Sequence, residues 1–254
     1  SDASDHWQQV LPQLEAVAAK TTAIIFEPIV QGAGGMQIYS ADFLKRLAAF
    51  AKANDIHLIA DEIMTGLGRT GKMLACEHAG ISPDFICLSK ALTSGWLPLS
   101  AVLTTNAIYD LFYDDYASGK AFLHSHTFSG NALAIAVAKA SVQVIKEDNL
   151  AERAQSLQTT MMESWRSMAR ETNQLHNLRG VGVIVAADLV NPKQVPRLGY
   201  AVYQQAVSRG ALLRPLGNTL YWLPPLNIAP STLLALGQIT HASIMACCGQ
   251  EAVV

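Results

Sequence analysis

At 254 residues, half of them hydrophobic, the chain can build one large α/β domain or two smaller ones around a sizeable core. A formal net charge of −2 with no basic block argues against nucleic acid or an anionic membrane as the main partner and leaves a small molecule as the expected one. Apolar stretches are interrupted short of the ~18 residues that span a bilayer, and no basic-then-apolar secretory pattern opens the chain. Cys76, Cys87, Cys247 and Cys248 lack C-x-x-C spacing, which favours reduced thiols and a cytoplasmic protein.

The sequence begins Ser1-Asp2 without methionine, as a processed or cut chain would. An amphipathic helix is expected from about Trp7 to Ala19, with Val10, Leu11, Leu14, Val17 and Ala18 on its apolar side. Ala23–Phe26 then reads as a buried strand that stops at Glu27-Pro28, because proline cannot continue a ladder. Gly32-Ala33-Gly34-Gly35 is loop. Ser40 is suited to cap a helix through about Lys52, with Phe43, Leu44, Leu47 and Phe50 on one face and Asn54-Asp55 closing it. Two short apolar runs follow, Ile56–Ala60 and Phe85–Leu88, and a third apolar segment covers Leu99–Leu103. Strand, helix and strand at short spacing predict an α/β fold with a mostly parallel sheet.

A second region is expected after Gly130: a helix from Asn131 to Ile145, then one from Leu150 to about Glu171 with Leu157, Met161, Trp165 and Met168 lying against a small sheet. Val181–Ala187 reads as a single strand, Tyr200–Ser208 as a helix ended by Gly210, and Ala211–Arg214 and Leu220–Leu223 as two strands about the Gly217-Asn218 turn. The pattern divides into residues 1–145, the large domain, and 146–254, a small α+β domain. No internal repeat or low-complexity segment occurs.

Chemistry concentrates at the ends of the apolar runs. Asp61-Glu62 follows the first and Lys90 stands just beyond the second, 29 residues after Asp61. Parallel strands buried on both faces read as continuous apolar stretches, and ligands sit beyond their carboxyl ends. A carboxylate and a lysine at one such edge are what an enzyme needs to hold pyridoxal phosphate, the lysine as covalent amine and the acid as partner of the pyridine nitrogen. A lysine after a strand is otherwise a solvated surface charge; the acid beside it is what raises Lys90.

Other patterns compete. Gly66–Gly71 matches G-x-G-x-x-G and Asp84 follows at a spacing suited to a dinucleotide-binding acid, but Asp61–Thr65 separates the first glycine from its strand and no helix start follows. The glycines are expected to shape an active-site loop. His124 and His126 lack further ligands at a metal-binding spacing. Cys76 and His78 are too near in sequence to face each other as a nucleophile and its base.

Glu27-Pro28, the block Leu58–Gly71, Ser89-Lys90-Ala91-Leu92, His126-Thr127-Phe128-Ser129-Gly130-Asn131 and Arg214-Pro215-Leu216-Gly217 occur in the order seen in the class III, or omega-type, pyridoxal-phosphate aminotransferases. The chain resembles that family over nearly its whole length, which implies the fold-type I architecture and pyridoxal 5'-phosphate as cofactor. Met64 stands where many family members that use ornithine, acetylornithine or 4-aminobutyrate carry glutamine. With the Ser125 loop and the run Leu213–Pro225, it places the resemblance nearest the branch that aminates 8-amino-7-oxononanoate with S-adenosylmethionine in biotin synthesis. Lysine serves as donor in some relatives.

The resemblance implies Lys90 and Asp61 as catalytic and cofactor-binding, Ile63 against the cofactor ring, and His126 and Thr127 at the phosphate of the neighbouring subunit's cofactor. Ser125, Glu27 and Arg214 would meet substrate, Arg214 through a bidentate fork on its carboxylate. His126 stands where relatives may carry proline. If the strand continues past Asp61, Ile63 shares a face with it, and Thr127 lies near a helix N-terminus suited to phosphate. A homodimer of complete subunits is implied. Family members also carry an amino-terminal portion, ahead of the matched segment, that supplies a phosphate-binding turn and a stacking ring, so activity is expected to require it. The alternatives are another class III enzyme acting on an ω-amino acid or diamine, and a non-catalytic fragment.

Overall fold

The computed structural model describes residues 3–248. Its first elements are helix α1 (Ala3–Val17), strands β1 (Ala23–Phe26), β2 (Val30–Gln31) and β3 (Gln37–Ile38), and helix α2 (Ala41–Ala53). Strands β4 (His57–Asp61), β5 (Phe85–Leu88) and β6 (Ala101–Thr104) follow, then helices α3 (Asn106–Tyr109) and α4 (Ala132–Glu147). The remainder is α5 (Leu150–Thr172), β7 (Leu175–Val181), β8 (Ile184–Leu189), α6 (Leu198–Val207), β9 (Thr219–Trp222) and α7 (Pro230–Cys248). Two compact units result. The first runs to Ile29 and adds Tyr39–Leu67 and Lys72–Asp148; the second takes Val30–Ile38, Gly68–Gly71 and the chain from Asn149.

In the first unit four strands lie in the order β1-β4-β5-β6, with β1/β4 and β4/β5 parallel and β6 antiparallel at the edge. Helix α2 begins where expected, since Ser40 Oγ accepts from the Phe43 amide at 3.1 Å. It buries Leu44, Leu47 and Ala51, and Ala51 joins Ile56 and Leu58 in a core packed by Ile24, Phe26 and Phe50. The start of β4 is tied across the sheet by Asp84, whose carboxylate accepts from the Leu58 amide at 2.7 Å. That acid is a strand tie.

The second unit is a three-stranded antiparallel sheet, β7-β8-β9. Met161, Trp165 and Met168 of α5 are buried as their spacing predicts. Trp165 meets Trp222 edge to face at 5.4 Å, and Trp222 Nε1 donates to Thr240 Oγ1 of α7 at 3.0 Å. Helix α7, which the sequence reading leaves out, is 19 residues long with a mean hydropathy of 1.3, enough by length and composition to cross a membrane. Its Leu233, Thr240, Ser243 and Ile244 are buried within this unit, and Leu234 is exposed.

Two expected strands are corrected. Val181–Ala187 is not one strand but the tip of a hairpin, with Val181 paired to Ile184 across Gly182-Val183. A continuous apolar run conceals the turn; Gly182 has φ +55°, and a Cβ there would clash with the Arg69 carbonyl oxygen. Ala211–Arg214 forms no strand, and only the bridge Leu216↔Thr219 joins the two sides of the Gly217-Asn218 turn.

The short hairpin of β2 and β3 belongs to the second unit because Arg179 holds it. The guanidinium donates to the carbonyls of Gly35 and Met36 and forms a bidentate pair with Asp188 at 2.8 and 3.2 Å. Burial pushes the Asp188 carboxyl up, but hydrogen bonds from Arg179, Thr219 and Asn177, with the Arg179 charge, outweigh it and leave the group below its ordinary value. A depressed carboxyl contributes stability above its unfolded pKa, and that contribution is lost as pH falls through the folded value. Asp188→Asn is therefore expected to cost about 2–3 kcal/mol at pH 7, less than a fully buried pair because the Asp188 side chain keeps 23% exposure. Urea unfolding followed by tryptophan fluorescence should show the gap from the parent closing below about pH 4. A gap independent of pH would assign the loss to packing.

Candidate active site

Register places the expected carboxylates side by side. Phe26 pairs with Ala60 and Asp61 with Cys87, so Glu27, Asp61 and the residues after Leu88 all leave the same carboxyl edge of parallel strands. Glu27 closes β1, and its carbonyl accepts from the Tyr39 hydroxyl at 2.6 Å. Burial of Tyr39 raises its hydroxyl pKa, which keeps it a donor.

Lys90 begins a 3₁₀ turn that runs to Thr93, with φ +37°. Left-handed backbone at a non-glycine residue costs of order 1–3 kcal/mol and persists where surrounding bonds enforce it. They do so here. Ser89 Oγ donates to the Leu99 carbonyl at 2.8 Å, Thr93 Oγ1 to the Leu97 carbonyl at 2.6 Å, and Ser141 Oγ of α4 to the Ala91 carbonyl at 3.0 Å. The Lys90 side chain is exposed and makes no ion pair among the described residues.

Asp61 ends β4, and its Oδ1 accepts from the Ile63 amide at 3.0 Å. No cation pairs with it among the described residues. The strand stops there, so Ile63 lies in a turn and the two-residue alternation expected to align it with Asp61 does not apply. Glu62, which the sequence reading passes over, is 1% exposed and accepts from Thr65 Oγ1, the Ala75 amide and the Cys76 amide at 2.8, 3.0 and 2.9 Å. Burial, then the Glu62 charge and hydrogen bond, push the Cys76 thiol well above its ordinary range. That thiol is no nucleophile.

Gly66–Gly71 is turn throughout and opens no helix. Gly68 and Gly71, in the second unit, have φ +94° and +89°. Between them Arg69 donates to the Pro224 carbonyl, and burial pulls its guanidinium down to about 10. The sequence marks this block as loop but gives no sign that its arginine is sequestered, because its partner is a backbone carbonyl 155 residues away.

Ser125, His126 and Thr127 are exposed in the loop that leads to α4. His126 Nδ1 accepts from the Phe128 amide at 3.2 Å, and the His126 amide donates to Ser129 Oγ at 3.0 Å. Asn131 caps α4 by accepting from the Leu133 and Ala134 amides at 3.0 and 3.1 Å, so two of the helix's free donors are already occupied. Arg214, in the second unit, is exposed and unpaired among the described residues. It borders a cavity of about 500 Å³ lined by Leu213, Trp222, Pro224, Ile228 and Leu236.

A pyridoxal cofactor asks for an amine and a carboxylate that no internal partner consumes. Asp61 and Lys90 meet that condition. Each leaves its own strand at the same sheet edge, neither is neutralised by an ion pair among the described residues, and the Lys90 backbone is held in a conformation it would not choose alone. The residues fit the group.

Comparison with known proteins agrees. The chain is 43% identical over 216 residues to the adenosylmethionine-8-amino-7-oxononanoate aminotransferase of Helicobacter pylori, covering 84% of this chain and 49% of that protein. The crystal structure of the enzyme of that name from Methanocaldococcus jannaschii superposes with a TM-score of 0.88 at 31% identity, covering 95% of this chain and 57% of that one. An amine transaminase from an uncultivated Pseudomonas species, solved in its PLP-bound form, gives 0.88 at 30% identity over 96% of this chain and 57% of its own. The chain spans about half the length of the curated relatives it matches. Its sheet has the fold-type I arrangement of PLP-dependent aminotransferases. The aminotransferase class-III family matches residues 1–242, and the chain belongs to that family.

Proposed function

We propose that these residues form part of a transaminase that uses pyridoxal phosphate to aminate 8-amino-7-oxononanoate to 7,8-diaminononanoate, with S-adenosylmethionine as amino donor, in the biotin pathway. The observation that carries the reading is the pairing of Asp61 with Cys87, which sets Asp61 beside the strand that leads into Lys90. The names of relatives at up to 43% identity support the substrate. Residues up to 145 would form the later half of the cofactor domain, and 146–254 the small carboxyl-terminal domain.

Pyridoxal phosphate, when bound, supplies a carbonyl carbon that receives the amino group and a pyridinium ring that withdraws electrons from the adjacent substrate carbon. Lys90 Nζ holds the group covalently and, when free, serves as the base that moves the proton at that carbon. Asp61 keeps a proton on the ring nitrogen by offering it a fixed negative charge. Ile63 would pack the ring face, and Glu27 and Ser125 would border the substrate. His126 and Thr127 donate to the phosphate across a homodimer interface in a cytoplasmic enzyme. The Thr127 hydroxyl has no hydrogen-bond partner among the described residues and is free for that role.

Borohydride reduction of the holoenzyme followed by peptide mapping should find the phosphopyridoxyl group on Lys90. Label on Lys72 or Lys120 would overturn the assignment. Product analysis with 8-amino-7-oxononanoate then decides the substrate, and turnover with an ω-amino acid or diamine alone would favour another class III activity.

Arg214 takes the carboxylate of the keto substrate in this reading. Its exposed, unpaired guanidinium and the apolar cavity beside it suit a carboxylate on an aliphatic chain. Arg214→Lys keeps the charge and loses the planar fork, so KM for 8-amino-7-oxononanoate should rise about tenfold, the scale of one lost charge-assisted hydrogen bond. The half-reaction with the amino donor should change little. Equal weakening of both half-reactions would mean a structural role.

A further inference from the structure

We infer that Glu62 is a positioning residue for Asp61, an inference that rests on the reading of Asp61 as partner of the cofactor's ring nitrogen. Asp61 is held weakly by its own side chain, through the one hydrogen bond it accepts among the described residues, from the Ile63 amide. The next residue is held from every side. The Glu62 amide donates to the Cys87 carbonyl at 3.0 Å, continuing the β4/β5 ladder by one bond, and its carbonyl accepts from the Gly66 amide at 2.9 Å.

The Glu62 side chain then anchors the far side of the loop. Oε2 accepts from Thr65 Oγ1 and the Ala75 amide, and Oε1 from the Cys76 amide. These partners lie 3, 13 and 14 residues along the chain, so one carboxylate closes both the tight turn and the longer excursion to the 3₁₀ turn Ala75–His78. No ion pair accompanies it among the described residues, and donors surround both oxygens. Gly66 is required beside it, since a Cβ there would meet the Glu62 carbonyl oxygen at 2.9 Å and the Glu62 Cβ at 3.3 Å.

An amide cannot substitute without conflict. Glu62→Gln keeps one acceptor oxygen but turns an NH₂ group toward backbone donors, either the Cys76 amide or the Ala75 amide with the Thr65 hydroxyl. A buried donor facing a donor forces the segment to shift. Asp61 is one peptide bond away, and the Glu62 amide's bond to the Cys87 carbonyl is the ladder bond that a shift of Glu62 disturbs. Displacement there misaims its carboxylate.

The test is a double-mutant cycle in the holoenzyme with Asp61→Asn, Glu62→Gln and the pair. Cofactor affinity by visible-absorbance titration and kcat for the amino-donor half-reaction are measured, with melting temperature before cofactor addition. Glu62→Gln should weaken cofactor binding and lower kcat by about 10–100-fold, the range for groups that orient a ligand's direct partners. In the Asp61→Asn background the same change should have less than about a threefold effect, because the group it positions no longer carries charge. Thr65→Val serves as a milder second variant, expected to weaken binding severalfold in the parent and not in Asp61→Asn.

Additive losses, or an Glu62→Gln protein with parental affinity and kcat, would overturn the inference and leave the assignment of Asp61 standing. If Asp61→Asn itself changes neither affinity nor kcat, the reading of Asp61 fails first and the inference with it. A lower melting temperature shared by both backgrounds, with no coupling in affinity, would assign Glu62 to the fold alone.

Discussion

Lys90→Ala is expected to lower turnover of the assembled enzyme by about 10⁴-fold, the upper end of what a positioned acid–base group contributes, while leaving its fold intact. The side chain is exposed and bonds to nothing among the described residues, so its removal opens no cavity and orphans no partner. Alanine at φ +37° is no less strained than lysine, and the turn is fixed by Ser89, Thr93 and Ser141 rather than by Lys90 itself. The variant should therefore melt within about 2 °C of the parent, the scale of a surface substitution of a few tenths of a kcal/mol. It should still bind pyridoxal phosphate reversibly but retain no borohydride-stable label, and small exogenous amines should restore part of the activity. Turnover within tenfold of the parent would remove Lys90 from the mechanism.

The first unit's strands were legible because each is a short apolar run with a decisive stop. Phe26 is followed by Glu27-Pro28, Ala60 by Asp61-Glu62, and Leu88 by Ser89-Lys90, and β1, β4 and β5 end within one residue of those points. Caps were legible for the same reason: the side chains of Ser40 and Asn131 bond to amides at the starts of α2 and α4. The second unit was harder. Its β7 (Leu175–Val181) carries His176 and Asn177 exposed and a register shift between His176 and Arg179, which breaks the alternation that marks a strand. Ala211–Leu213 alternates buried and exposed like a strand yet joins no sheet among the described residues.

The site divides along a similar line. Asp61 and Lys90 could be proposed because strand ends are marked locally. Glu62 and Arg69 could not, because their roles depend on groups that folding delivers: the Ala75 and Cys76 amides for one, the Pro224 carbonyl for the other. A buried polar residue whose partners are backbone atoms leaves no trace in residue types. The reverse holds for Asp84, whose spacing from the glycine block suggested a ligand contact and whose carboxylate is used by the Leu58 amide.

Asp61→Asn should lower kcat by about 10²–10³-fold, the cost of removing one preorganised electrostatic partner of a transition state. The variant is nearly isosteric. Asparagine Oδ1 can still accept from the Ile63 amide, and the turn after β4 keeps its Gly66–Glu62 and Thr65–Glu62 bonds, so the backbone has no reason to move. What disappears is the charge. No other carboxylate can take its place cheaply: Glu62 is buried with both oxygens engaged, and Glu27 lies one strand away in the sheet order. A neutral amide no longer favours a proton on the ring nitrogen, and the ring then withdraws electrons less strongly as the substrate C–H bond breaks. Because this interaction grows in the transition state, KM should move far less than kcat. The loss should appear in both half-reactions alike, whereas the Arg214 variant affects one. Stopped-flow measurement of each half-reaction, with a deuterated donor carbon to isolate the proton step, checks both points. Near-parental rates, or a loss confined to KM, would mean that Asp61 only helps to hold the cofactor.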